Sequence, residues 1–310
     1  MAHRRGEWLR LAGLAGAVGL LHVLGWGLFL SYSRSNAALA GLGMLAYTFG
    51  LRHAFDADHI AAIDNTTRRL LEDGRKPLGV GFFFSLGHST VVFALATGLA
   101  LAAHTVDAGI PTLQEYGGLV GAAVSGTFLW IIGLLNLLLL VDRDGLEGRL
   151  LDRGFMNRFF GRAAGRTAKS WHMYPVGMLF GLGFDTASEV ALLALAAGVA
   201  THQVPFLAVI SLPLLFAAGM SLMDTADGVF MSHAYGWAFR SPTRRRRYNV
   251  AVTGISVVVA LLIGTVELLQ VLPVSAALDG IDLGMLGYGV AGLFVLTWAC
   301  SFVAWRVRRQ

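Results

Sequence analysis

Between positions 53 and 59 the chain places two imidazoles and two carboxylates within seven residues, His53-x2-Asp56-x-Asp58-His59. On a helix turning about 100° per residue, His53, Asp56 and His59 fall at about 0°, −60° and −120°, an arc on one side. Two imidazoles and a carboxylate one turn apart can converge on one cation. Asp58 falls at about +140°, outside that arc. It therefore orients a ligand from behind, faces another helix, or sits where the helix is unwound. Arg52 is placed to pair with one of the acids and temper the charge of an empty site. Neutral imidazole with carboxylate suits nickel, cobalt, zinc or ferrous iron, whereas magnesium and calcium prefer oxygen alone. The competing reading is a buried salt-bridge network that only holds helices together.

Further groups of the same kind follow along the chain. Gly87-His88-Ser89-Thr90 offers one more imidazole beside two hydroxyls. Asp185 and Glu189 are one turn apart on a helix, as are Asp224 and Asp227, so each pair shares a face. Such pairs could guide a cation, carry a proton or neutralise Arg52. Met220 and Met223 are soft enough to touch a late transition metal, though packing is the commoner task of a methionine.

The elements that must position these groups are hydrophobic. Of 310 residues, 55% are hydrophobic and only 14% charged, where a soluble domain carries about a quarter charged. Runs long enough to cross a bilayer predict eight helices, at about 9–30, 37–63, 78–103, 117–141, 173–199, 205–232, 249–271 and 284–305. The expectation is an all-α polytopic membrane protein of one domain, residues 1–310, with its first apolar run retained as a span. The 39 glycines fit helices that pack closely in lipid. The single cysteine, Cys300, excludes a disulfide framework and a multi-cysteine metal site.

Charge distribution gives an orientation. Segments 1–10, 64–77, 142–172, 233–248 and the tail after 305 hold 3, 4, 7, 5 and 3 Lys/Arg, which is 22 of 24. All five lie on the same side of the predicted spans, so both termini are expected in the cytoplasm, with the chain in the cytoplasmic (inner) membrane. The run Arg244-Arg245-Arg246-Arg247 then reads as a topogenic, headgroup-facing anchor, not a nucleic-acid site. Ionisable residues inside spans cost roughly 2.5–3.5 kcal/mol each at a helix centre. His53, Asp56, Asp58, His59, His88, Asp185, Glu189, Asp224, Asp227 and Glu267 must therefore face one another, a polar cavity or a bound cation.

At Arg52-His53-Ala54-Phe55-Asp56-Ala57-Asp58-His59-Ile60 the sequence resembles the nickel/cobalt transporter family of bacterial permeases. Phe84-Ser85-Leu86-Gly87-His88-Ser89-Thr90-Val91-Val92 is similar to that family's second signature. Leu182-Gly183-Phe184-Asp185-Thr186-Ala187-Ser188-Glu189 resembles the third, with Ser188 where Thr is commoner. Gly219-Met220-Ser221-Leu222-Met223-Asp224-Thr225-Ala226-Asp227 resembles the fourth. The resemblance implies eight spans with both ends inside, and high-affinity uptake of nickel or cobalt as bare dications. It assigns metal recognition to His53, Asp56, Asp58 and His59, and an accessory role near that site to His88. The metal is then cargo, with no resident cofactor. Related efflux proteins often carry a His-rich cytoplasmic loop, whereas the loops here hold only scattered His172 and His233, which favours import.

Phe49-Gly50-Leu51 recurs as Phe180-Gly181-Leu182, in spans expected to run in opposite directions. This echo raises an inverted repeat of spans 1–3 and 4–6 with the site at its interface. Other functions fit less well. No Gly-x4-Gly-Lys-Ser/Thr occurs and the only lysines are Lys76 and Lys169, so neither ATP hydrolysis nor an ATPase subunit is called for. A membrane zinc protease would want His-Glu-x2-His, which is absent. An efflux permease of related fold, a membrane metalloenzyme and a metal sensor or assembly subunit stand as the alternatives.

Overall fold

The computed structural model describes residues 2–34, 37–72, 74–102, 169–182, 206–238, 242–271 and 283–307, with scattered positions between 123 and 137. The described residues are helical, without strands. The helices are α1 (Ala2–Ser33), α2 (Ala37–His53), α3 (Ala57–Glu72), α4 (Val80–Ala102), α5 (Met173–Phe180), α6 (Phe206–Ala238), α7 (Pro242–Gln270) and α8 (Leu283–Val307). A short 3₁₀ turn, Ser170–His172, leads into α5. Among the described residues, three stretches are long and apolar enough to cross a membrane, Gly6–Ser33, Val80–Gly98 and Leu207–Ala238. The expected span at 117–141 is described only in part, and most of the expected span at 173–199, with Asp185 and Glu189, lies outside the described residues.

The expected span at 37–63 is two helices. At its end α2 tightens from i→i−4 to i→i−3 bonding, with Phe55 N–H on Arg52 O and Asp56 N–H on His53 O, both at 2.9 Å. The Asp56 carbonyl then accepts from Ile60 N–H at 3.2 Å and starts α3. Helix α3 runs on to Glu72, well into the segment that the charge count assigns to an inner loop. Asp64, Asn65, Thr67 and Arg68 are buried there. Asp64, Asn65 and Arg68 find partners in α3 itself and in two neighbouring helices. Tyr235 of α6 and Ser256 of α7 donate to the Asp64 carboxylate at 2.5 and 2.8 Å. Arg68 donates to Thr253 of α7 and, at 2.9 Å, to Asn65.

Helix α6 is the hub, packed on α1, α2, α3 and α4. It runs parallel to α2–α3: Phe216 lies by His53, Asp224 by His59, Gly228 by Ile63 and Tyr235 by Asp64. It runs antiparallel to α4, where Ser85 pairs with Ser221 and Gly81 with Gly228. Helices α4 and α5 are parallel, with Gly79 beside Ser170, Phe84 beside Gly177 and His88 beside Gly181.

Two of these crossings are built alike. Where α2 crosses α6, a methyl on Gly50 would strike the Phe216 carbonyl, and one on Gly219 would meet Tyr47 O and Leu51 N. Where α5 crosses α4, a methyl on Gly177 would strike the Phe84 carbonyl, and one on Gly87 would meet Tyr174 O and Met178 N. Each crossing thus rests on a reciprocal pair of glycines that lets two backbones touch.

One end of the bundle gathers charge. Glu7 at the start of α1 lies 3.6 Å from Lys76, which precedes α4, and 3.8 Å from His233 near the end of α6. The turn at Ser170 packs at this same end, against Gly79.

Candidate metal centre

The centre forms where the α2–α3 break, α4 and α6 meet. His53 is the last residue of α2, His59 lies in the first turn of α3, and His88 stands at mid-length on α4. One ligand atom from each of these three imidazoles lies within 4.8 Å of the others. His53 Nε2 and His88 Nε2 are 3.2 Å apart. Ring centroids are 4.6 Å apart for His53 and His59, 4.9 Å for His53 and His88, and 4.8 Å for His59 and His88. The break in the helix makes this possible, because it turns His59 about a new axis instead of continuing the α2 arc.

Carboxylates stand behind two of the rings. Asp56 Oδ2 is 2.7 Å from His53 Nδ1, and Asp224 Oδ2 is 3.3 Å from His59 Nδ1. A carboxylate on Nδ1 holds the proton there and leaves the Nε2 lone pair facing inward, as for metal-bound histidines. His59 Nε2 and His88 Nδ1 are buried without a hydrogen-bond partner among the described residues. A dry ring nitrogen of this kind costs free energy unless something binds it. The pocket wall is aromatic, with Phe84 edge-on to His59 at 4.8 Å and Phe216 tilted over His53 at 5.6 Å. His59 is 0% exposed, whereas the side chains of His53 and Asp56 keep 18% and 24% of their surface open. Among the described residues the open side of the cluster is therefore that of His53 and Asp56.

The remaining residues singled out by sequence take distinct places. Asp58 lies in the first turn of α3, where its Oδ1 accepts from His59 N–H at 2.8 Å. It stands two residues past the break at Asp56. Arg52 is exposed and within electrostatic reach of Asp56. Ser89 is buried beside His88, while Thr90 turns outward to receive Tyr174 O–H at 3.1 Å. Asp227 lies one turn beyond Asp224, close enough to feel the charges of Asp224 and Asp64. Asp64 and Arg68 escaped the sequence reading. The signal was there: apolar Ile60, Ile63, Leu70 and Leu71 continue the helical spacing past 63, with no breaker before Gly74.

Residues 39–304 match the family model described as high-affinity nickel-transport protein. The chain belongs to that family. It is 50% identical to the nickel transporter NicT of Mycobacterium tuberculosis, over 98% of this chain and 90% of that protein. It is 50% identical to the cobalt transport protein NhlF of Rhodococcus rhodochrous, over 96% and 92%. Against the high-affinity nickel-transport protein NixA of Helicobacter pylori the identity is 44%, over 94% and 96%. No solved structure matches the chain. As a member of the high-affinity nickel-transport family, the protein is a membrane-embedded transporter and not an enzyme.

Proposed function

We propose that the protein imports nickel(2+) or cobalt(2+) across the cytoplasmic membrane, binding the ion in transit between His53, His59 and His88. The observation that carries this reading is the convergence of one nitrogen from each ring within 4.8 Å. Asp56 and Asp224 orient His53 and His59, and Asp58 holds the start of α3 so that His59 points inward. Asp227, and by sequence Asp185 and Glu189, belong to the ion's path. With no nucleotide-binding loop in the chain, the membrane potential is the available drive, at about 2.3 kcal/mol per charge per 100 mV.

Eight spans with both termini in the cytoplasm complete the proposal. Glu7, Lys76, Ser170 and His233 lie at one end of the bundle, which supports placing the four segments they belong to on one side. The parallel run of α2–α3 with α6, and the antiparallel run of α4, fit spans two and six descending while span three ascends. The paired glycine crossings support an inverted repeat. They equate Gly50 with Gly177 and Gly87 with Gly219, so that Tyr47-x2-Gly50 matches Tyr174-x2-Gly177 and Phe84-x2-Gly87-x-Ser89 matches Phe216-x2-Gly219-x-Ser221. That register differs by one turn from the Phe-Gly-Leu echo, which would equate Gly50 with Gly181.

The test is radiolabelled nickel uptake into proteoliposomes under an imposed potential, with His53→Ala and His88→Ala beside the wild type. Uptake should vanish in both variants, and wild-type rates in both would overturn the site. Cells expressing the wild type should accumulate more nickel than controls. Lower accumulation would overturn import in favour of efflux.

A further inference from the structure

Met220 of α6 is fully buried one turn from Phe216, whose ring lies against His53. Its neighbours in sequence face different helices: Gly219 packs on α2 at Tyr47 and Leu51, and Ser221 bonds Ser85 of α4 at 2.7 Å. Taking Phe216 as zero and about 100° per residue, Gly219 points at about −60°, Ser221 at about +140° and Met220 at about +40°. Its side chain thus leaves α6 midway between the direction of α2 and the direction of α4. Along the axis, Phe216 lies one turn before it, against the His53 ring, and Asp224 one turn after it, against His59. Met220 is fully buried, in a cluster that includes Ala54, next to His53, and Val92, one turn past His88.

We propose that the Met220 thioether is a fourth donor to the transported ion, an inference that rests on reading His53, His59 and His88 as the transport site. Three nitrogens do not fill the coordination of a late first-row dication. Among the described residues, the carboxylates at the cluster have other work, Asp56 and Asp224 on the Nδ1 atoms and Asp58 on the His59 amide. Sulfur suits a site that fills and empties. It carries no charge and needs no hydrogen bond, so it adds no cost while the site is vacant. It is also a weak enough donor to release the ion. A soft donor at this position favours nickel and cobalt over magnesium, calcium and manganese, which seek oxygen.

X-ray absorption at the nickel K-edge of the purified, nickel-loaded protein tests this directly, using wild type, Met220→Leu and Met223→Leu. Leucine keeps the apolar volume, and such exchanges are tolerated in cores. A sulfur shell should accompany the imidazole nitrogens in wild type and in Met223→Leu, and be lost in Met220→Leu. Met220→Leu should also let magnesium compete better against nickel in equilibrium binding, with its metal-free melting temperature unchanged. A nitrogen shell without sulfur in the wild type, or a sulfur shell that survives in Met220→Leu, overturns the assignment of Met220 and leaves the histidine site standing. A nickel spectrum lacking imidazole nitrogens overturns both.

Discussion

His53 Nε2 and His88 Nε2 face each other at 3.2 Å, from residues 35 positions apart in the chain. Two nitrogens that close, with His59 alongside, are shielded by aromatic walls on all but the His53–Asp56 side. The arrangement is unfavourable when empty and favourable around a cation. Binding should therefore register as stability. Nickel at 100 times its dissociation constant should stabilise the wild type by about 2.7 kcal/mol. His88→Leu should lose that gain while changing the metal-free melting temperature little, because it removes a buried Nδ1 that has no partner along with the Nε2 contact to His53. Thermal melts with and without nickel measure both.

The carboxylates act through the rings they hold. Asp56→Asn and Asp224→Asn keep the side-chain volume but weaken the hold on Nδ1, and each should cost about 10–100-fold in nickel affinity. Equilibrium binding by isothermal calorimetry checks this. An unchanged affinity in both variants would show that the rings are oriented by packing alone.

The glycine crossings should respond as a pair. Gly50→Ala and Gly177→Ala each drive a methyl into a backbone carbonyl, of Phe216 and Phe84 respectively. Overpacking of this kind costs about 1–3 kcal/mol. Comparable losses in denaturation midpoint at the two sites are expected, whereas Gly13→Ala, on an open stretch of α1, should be neutral.

The Asp64 network fastens α3 to α6 and α7 beneath the metal centre. Tyr235→Phe removes a hydrogen bond to a charged group and should cost about 1.5–3 kcal/mol. Arg68→Ala strips a cation from a buried network and should cost about 3–5 kcal/mol. Unfolding in mixed micelles, followed by helical circular dichroism, gives both values. Equal and small effects would mean that water reaches this end of α3.

Much of the centre was legible because chemistry and span were local. His53, Asp56, Asp58 and His59 stand within seven residues, and ionisable groups in apolar runs point to function without any knowledge of packing. Their division of labour was not. On an unbroken helix Asp56 shares the ligand arc. The break after His53 sets it against Nδ1 of that ring and brings in His88 from α4.

By itself, then, the sequence determined that the chain is helical and membrane-embedded, and that its chemistry is imidazole with carboxylate. Hydrophobic length and residue type decide those properties and can be read along one dimension. Only the tertiary structure decided which nitrogens converge, that α3 continues as helix through Asp64 and Arg68, and that Met220 is buried among Phe216, Ala54 and Val92. Each depends on where a neighbouring helix runs. Reciprocal glycines let α2 touch α6 and α4 touch α5, and backbone contact sets those positions to within a fraction of a turn.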